Sequence, residues 1–199
     1  MNNPLEFLLL FACIFVLNII PMFAPPTWMV LAFIGLTSQV LSPLAMALVA
    51  APAATLGRVC LAKGARALLR NRLLSDAHRK NIDVIRDELE HRRGLTAGAF
   101  LVYAFSPLPS NLLFIAFGLT TLPLWLAAIP FFIGRLASYW FFAGTATFIG
   151  DHLTDHGNGG FLAGGWYFIA TQLLMIPILY LFTKLDWKAL IRERKLRWI

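Results

Sequence analysis

Hydrophobic positions in this chain come in long unbroken blocks, without the alternation of half-buried strands. Leu5–Ile20 is apolar except for Glu6 and Asn18. The stretch Pro21-Met22-Phe23-Ala24-Pro25-Pro26-Thr27 then predicts a helix break inside apolar sequence. Trp28–Leu41 is apolar again, but about 14 residues at 1.5 Å each reach only ~21 Å, short of a ~30 Å hydrocarbon core. Ser42–Leu61 is long enough to span. Lys63–Arg93 is charged, with Ile82, Ile85 and Leu89 at helical spacing. It predicts either an amphipathic helix on a membrane surface or a solvated cytoplasmic helix.

The pattern then returns. Leu95–Phe105 is apolar, Ser106-Pro107-Leu108-Pro109-Ser110 breaks it, and Asn111–Thr120 is a short apolar arm. Leu122–Gly150 can span with tilt, Asp151–Gly160 is polar and Gly-rich, and Phe161–Phe182 predicts a last span before a basic tail. The two broken segments align without a gap, Pro26-Thr27-Trp28-Met29-Val30-Leu31-Ala32-Phe33-Ile34-Gly35-Leu36-Thr37 on Pro109-Ser110-Asn111-Leu112-Leu113-Phe114-Ile115-Ala116-Phe117-Gly118-Leu119-Thr120. Gly57-Arg58 and Gly134-Arg135 follow as a second matching pair.

Composition sharpens the class. The chain has 199 residues, 59% of them hydrophobic and only 14% charged, with mean hydropathy +0.71. Soluble domains carry about 25% charge, so a soluble domain, a disordered chain and an ordinary nucleic-acid binder are excluded. The expectation is an all-α integral membrane protein. The two cysteines, Cys13 and Cys60, lie in or beside apolar segments and predict no disulfide framework. Met1-Asn2-Asn3-Pro4 has no basic stretch and Leu8–Ile20 ends in no cleavage site, so that segment reads as a retained helix.

Charge sets an expected topology. Of 17 Lys and Arg, ten fall between Arg58 and Arg93 and six between Lys184 and Arg197, with Arg135 alone between. The positive-inside rule puts 63–93 and the 184–199 tail in the cytoplasm and Asp151–Gly160 outside. The first broken segment then dips from outside and the second from the cytoplasm. This is an inverted repeat of two re-entrant hairpins, each followed by a spanning helix, with flanking transmembrane helices. A single membrane domain is expected: repeat one over about 5–62, linker 63–93, repeat two over about 95–150, last span 161–183.

Candidate chemistry follows from this plan. At each tip a proline precedes a hydroxyl residue, Thr27 or Ser110, and a helical arm; helix starts favour anions. Arg58 and Arg135 occupy matching places, and charge inside an apolar segment marks a functional site. With Asn18 and Asn111 these residues form an expected cradle for a phosphate-bearing headgroup. The alternatives are that Arg58 snorkels to the interface and that Arg135 bonds carbonyls freed by Pro130. Gln39 is a further polar residue at depth. Pro25, Pro26, Pro107, Pro109, Gly35 and Gly118 are the structural residues of the tips and arms. Asp151-His152-Leu153-Thr154-Asp155-His156 spaces His152 and His156 for a divalent metal, against which a solvated loop is the simpler reading. No cofactor or catalytic set is expected, and an enzyme is the least favoured class.

These segments resemble the DedA / SNARE-associated Golgi protein (VTT domain) superfamily. The resemblance rests on the Pro-rich break, the Ala-Phe-Ile-Gly arm, Thr55-Leu56-Gly57-Arg58, Phe105-Ser106-Pro107-Leu108-Pro109-Ser110-Asn111 and Gly118-Leu119-Thr120, and covers about residues 8–182. It implies movement of phospholipids or polyprenyl-phosphate carriers across a bilayer, in the bacterial inner membrane, with room for a homo-oligomer. Departures are equally specific. Trp28 and Ala50 stand where many bacterial members carry acids, and the second-tip arginines fall near Ala104 and Ser110, although Pro107 remains. That combination favours facilitated lipid movement over proton coupling. A small-solute or ion transporter on the same scaffold and a non-transport structural or interaction protein are the competing readings.

Overall fold

The computed structural model describes residues 4–21, 25–37, 42–68, 110–120 and 122–153, with scattered helical positions in 82–101 and 166–177. The chain divides into two compact units, Met1–His152 and Leu153–Ile199. In the second, the helical positions Trp166, Ile169 and Leu173 are exposed. All regular structure among the described residues is helical.

Among the described residues five helices are continuous: α1 (Pro4–Ile19), α2 (Thr27–Thr37), α3 (Pro43–Ala65), α4 (Ser110–Leu119) and α5 (Trp125–Leu153). Pro21 stops α1 at 16 residues, about 24 Å, so it is shorter than the membrane crossing expected of it. Ser42 starts α3: its Oγ accepts from the Ala45 N–H at 3.3 Å, and Pro43 occupies the first turn, where a missing N–H is harmless. The helix tolerates Pro52 and continues to Leu68, beyond the expected end near Leu61. Pro43–Leu68 and Trp125–Gly150, 26 residues each, are long and apolar enough to cross a membrane. Of the charged linker, Ile82 and Leu89 are half-buried, and Arg86 pairs with Glu90 at 3.6 Å.

Packing is inverted relative to a soluble protein. The buried face of α3 is mostly small: Ala47, Ala50, Ala51, Ala54, Gly57 and Ala62. Its exposed face carries Leu44, Leu48, Leu56 and Leu68. On α5, Trp140, Phe141 and Phe148 are likewise exposed. Small residues let helix backbones approach where hydrocarbon surrounds the bundle. A Cβ on Gly57 would lie 2.7 Å from the Phe15 carbonyl oxygen of α1. One on Gly118 would run into the Ala62 carbonyl of α3, and one on Gly35 would lie 3.0 Å from the Ala143 carbonyl oxygen of α5. Thus α1 and α4 pack on α3, and α2 packs on α5. Both cysteines are free and exposed.

Candidate functional site

Two helix starts meet on one stretch of α5. Thr27 opens α2, and its Oγ1 shares a hydrogen bond with Tyr139 Oη. Further along, Trp28 packs on Phe142 with ring centroids 5.0 Å apart, and Leu36 approaches Gly150. So α2 runs alongside α5 in the same direction, starting at the level of Tyr139. The other arm runs the opposite way. Only residues 120–124 join α4 to α5, and Phe114 meets Phe131 edge-on at 4.9 Å, which requires an antiparallel pair. One turn before Phe114 is Ser110, and one turn after Phe131 is Arg135. Counted by helical turns from that ring contact, Ser110 and Arg135 are each one turn further on.

Arg135 occupies this junction. It is 9% exposed, and its guanidinium carbon lies 5.1 Å from the Phe131 ring centroid and 5.6 Å from that of Tyr139. Its Nε is buried with no hydrogen-bond partner among the described residues. Its contacts among the described residues are cation–π contacts with two rings spaced one turn on either side, and no bond to the carbonyls of the alternative reading is among them. The Ser110 hydroxyl is also buried and has no partner among the described residues.

The remaining candidates form a second string that ends at the same tip. Arg58 is buried and donates from Nη1 to the Asn18 carbonyl at 3.1 Å, so it does not snorkel. The Asn18 side chain bonds back to the Ile14 carbonyl at 2.7 Å and serves its own helix. Asn111 Nδ2 donates to the Pro21 carbonyl at 2.9 Å, tying the start of α4 to the end of α1. Arg66, unremarked in the sequence reading, donates to the Gly118 carbonyl at 3.1 Å and the Leu122 carbonyl at 2.7 Å. Its only sequence signal is a basic residue following a span.

Helix direction gives these arginines opposite settings. Arg58 and Arg66 lie at the carboxyl ends of α1 and α4, where orphan carbonyls favour a cation. Arg135 lies one turn from Tyr139, the side chain bonded to the start of α2, and so near that helix's positive end. A buried cation there is electrostatically favourable only with an anion present.

Other sequence candidates fall elsewhere. Pro25 and Pro26 lead into α2, with Met29 N–H bonded to the Pro26 carbonyl at 2.9 Å. Pro107, Pro109, Gln39 and His156 lie outside the described residues, as does the His152 side chain. Among the described residues no three His, Cys, Asp or Glu side chains gather as a metal site. Trp28, at the position of an expected acid, is buried in its aromatic pair, and Ala50 is fully buried. No protein-family model, curated protein or solved structure matches the chain.

Proposed function

We propose that this chain is an integral membrane protein that moves phosphate-bearing lipids, of the phospholipid or polyprenyl-phosphate kind, across the bilayer. The observation that carries the reading is Arg135: a buried guanidinium between two aromatic rings, one of them bonded to the start of α2, with Nε unpartnered among the described residues. A phosphate group supplies the missing charge and accepts from both the guanidinium and the Ser110 hydroxyl. An exterior of leucine, phenylalanine and tryptophan around an alanine and glycine interior supports a lipid setting.

The inverted repeat is part of the proposal. Arms of 11 and 10 residues measure about 15–17 Å and are too short to cross. Their N-termini converge while their bodies diverge along α5, as two opposed re-entrant arms would. The aligned glycines Gly35 and Gly118 each seat an arm against the spanning helix of the other half. Phe100 packs on Phe114 and Phe117 at 5.7 and 5.0 Å, as two limbs of one hairpin would. Membership of the DedA and VTT-domain superfamily, and a multi-pass place in a bacterial inner membrane, rest on the motif resemblance.

Movement on this site is equilibrating. Between Phe7 and Ala62 the only charged residue is Arg58, and between Leu95 and Gly150 the only one is Arg135. Neither stretch offers an acid to carry a proton. The test uses vesicles of phosphatidylethanolamine and phosphatidylglycerol with a trace of fluorophore-labelled phosphatidylglycerol and an impermeant reductant outside. Protein-containing vesicles should lose the inner-leaflet signal; protection equal to that of protein-free vesicles would overturn the reading.

A further inference from the structure

We infer that Tyr139 is the positioning residue of the Arg135 site, seating the guanidinium with its ring and latching the tip of α2 with its hydroxyl. This rests on Arg135 as an anion site. Tyr139 is fully buried, and a buried phenol needs a partner for its O–H. That partner is Thr27, the first residue of α2. A threonine hydroxyl at a helix start would ordinarily accept from its own helix's N–H groups; here it reaches across to α5. The other end of the same side chain faces Arg135 at 5.6 Å.

The two tips are therefore held differently. Asn111 ties the start of α4 to the Pro21 carbonyl, at the end of α1. Thr27 ties α2 to Tyr139, one of the two rings against Arg135. A headgroup reaching Arg135 between the tips must part them. Moving α2 breaks a bond between two neutral hydroxyls, a weak and reversible link. The ring contact on Arg135 stays, so the guanidinium remains seated while the arm moves.

The test needs one thiol in the site. With Cys13→Ala and Cys60→Ala, Ser110→Cys reports access through its rate of mixed-disulfide formation with a small anionic thiosulfonate, which releases sulfinate, compared with a cationic thiosulfonate of similar size. Tyr139→Phe keeps the ring and removes the latch; the modification should quicken about fivefold, the change expected from losing one net hydrogen bond. Thr27→Val should do the same, and the double variant should be no faster than either single. Tyr139→Leu should also erase the preference for the anionic reagent, which Tyr139→Phe retains. Unchanged rates in the Phe and Val variants, or additive ones in the double, would overturn the latch. A preference that survives Tyr139→Leu would overturn the seating. Arg135→Gln in the same background separates the two readings: if anionic preference persists there, the anion site itself fails. Should Tyr139→Leu unfold in detergent, the Thr27–Tyr139 pair carries the test alone.

Discussion

Among the described residues α3 and α5 are the two span-length helices, and each buries an arginine after a glycine, Gly57-Arg58 and Gly134-Arg135. Aligned as sequence the two arginines look interchangeable. Their surroundings are opposite. Arg58, like Arg66 on the same helix, finishes a neighbouring helix by taking a carbonyl at its carboxyl end. Arg135 meets helix starts and aromatic faces. The difference teaches that repeat equivalence does not fix chemistry; the direction in which the neighbouring helix runs does. On this account α3 is the structural half and α5 the working half.

The largest break in that comparison comes at the arms' glycines. Gly118→Leu drives a side chain into the Ala62 backbone, an obstacle that cannot rotate away, and should lose folded protein on detergent extraction. Gly35→Ala meets the Ala143 carbonyl at 3.0 Å and the Thr147 hydroxyl at 3.1 Å. The hydroxyl can turn aside, so the cost should stay near about 1 kcal/mol, at the low end for overpacking. Thermal unfolding of the two variants checks the order, and a reversed order would make α2 the more tightly seated arm.

Arg58→Ala strips the charged donor from the Asn18 carbonyl and should destabilise by about 1.5–3 kcal/mol, the range for a hydrogen bond to a charged group. Arg66→Ala removes two carbonyl contacts from a partly exposed side chain and should cost about 1 kcal/mol. Asn111→Ala loses one neutral bond to Pro21 and should cost about 0.5–1 kcal/mol. Denaturant titration in detergent reads all three. Equal losses at Arg58 and Asn111 would remove the distinction between charged and neutral helix ties.

Much of this arrangement was legible along the chain. The starts of α2 at Thr27 and α4 at Ser110, the Ser42-Pro43 start of α3, and the matched Gly35 and Gly118 follow from local chemistry that neighbouring residues declare. What was not legible depends on helix register. Nothing near Tyr139 in sequence announces Thr27 as its partner, and Phe131 becomes a wall for Arg135 only because α5 stays helical after Pro130. Asn18 is expected in the headgroup cradle, yet its amide bonds one turn back, a choice that local geometry settles. Arg66 was hidden for a different reason. It sits among many basic residues after Lys63, and only the fold shows which of them meets the end of α4.

The most direct measurement compares Arg135→Gln and Arg58→Gln with the unaltered chain, in labelled-phosphatidylglycerol vesicles and in thermal unfolding. Glutamine keeps hydrogen-bonding capacity and removes charge. Arg135→Gln should abolish lipid movement while leaving the protein as stable as before or more so, since an uncompensated buried cation is gone. Arg58→Gln should lower stability and leave measurable movement in the folded fraction. Movement at the unaltered rate in Arg135→Gln would contradict the account and return Arg135 to a structural role.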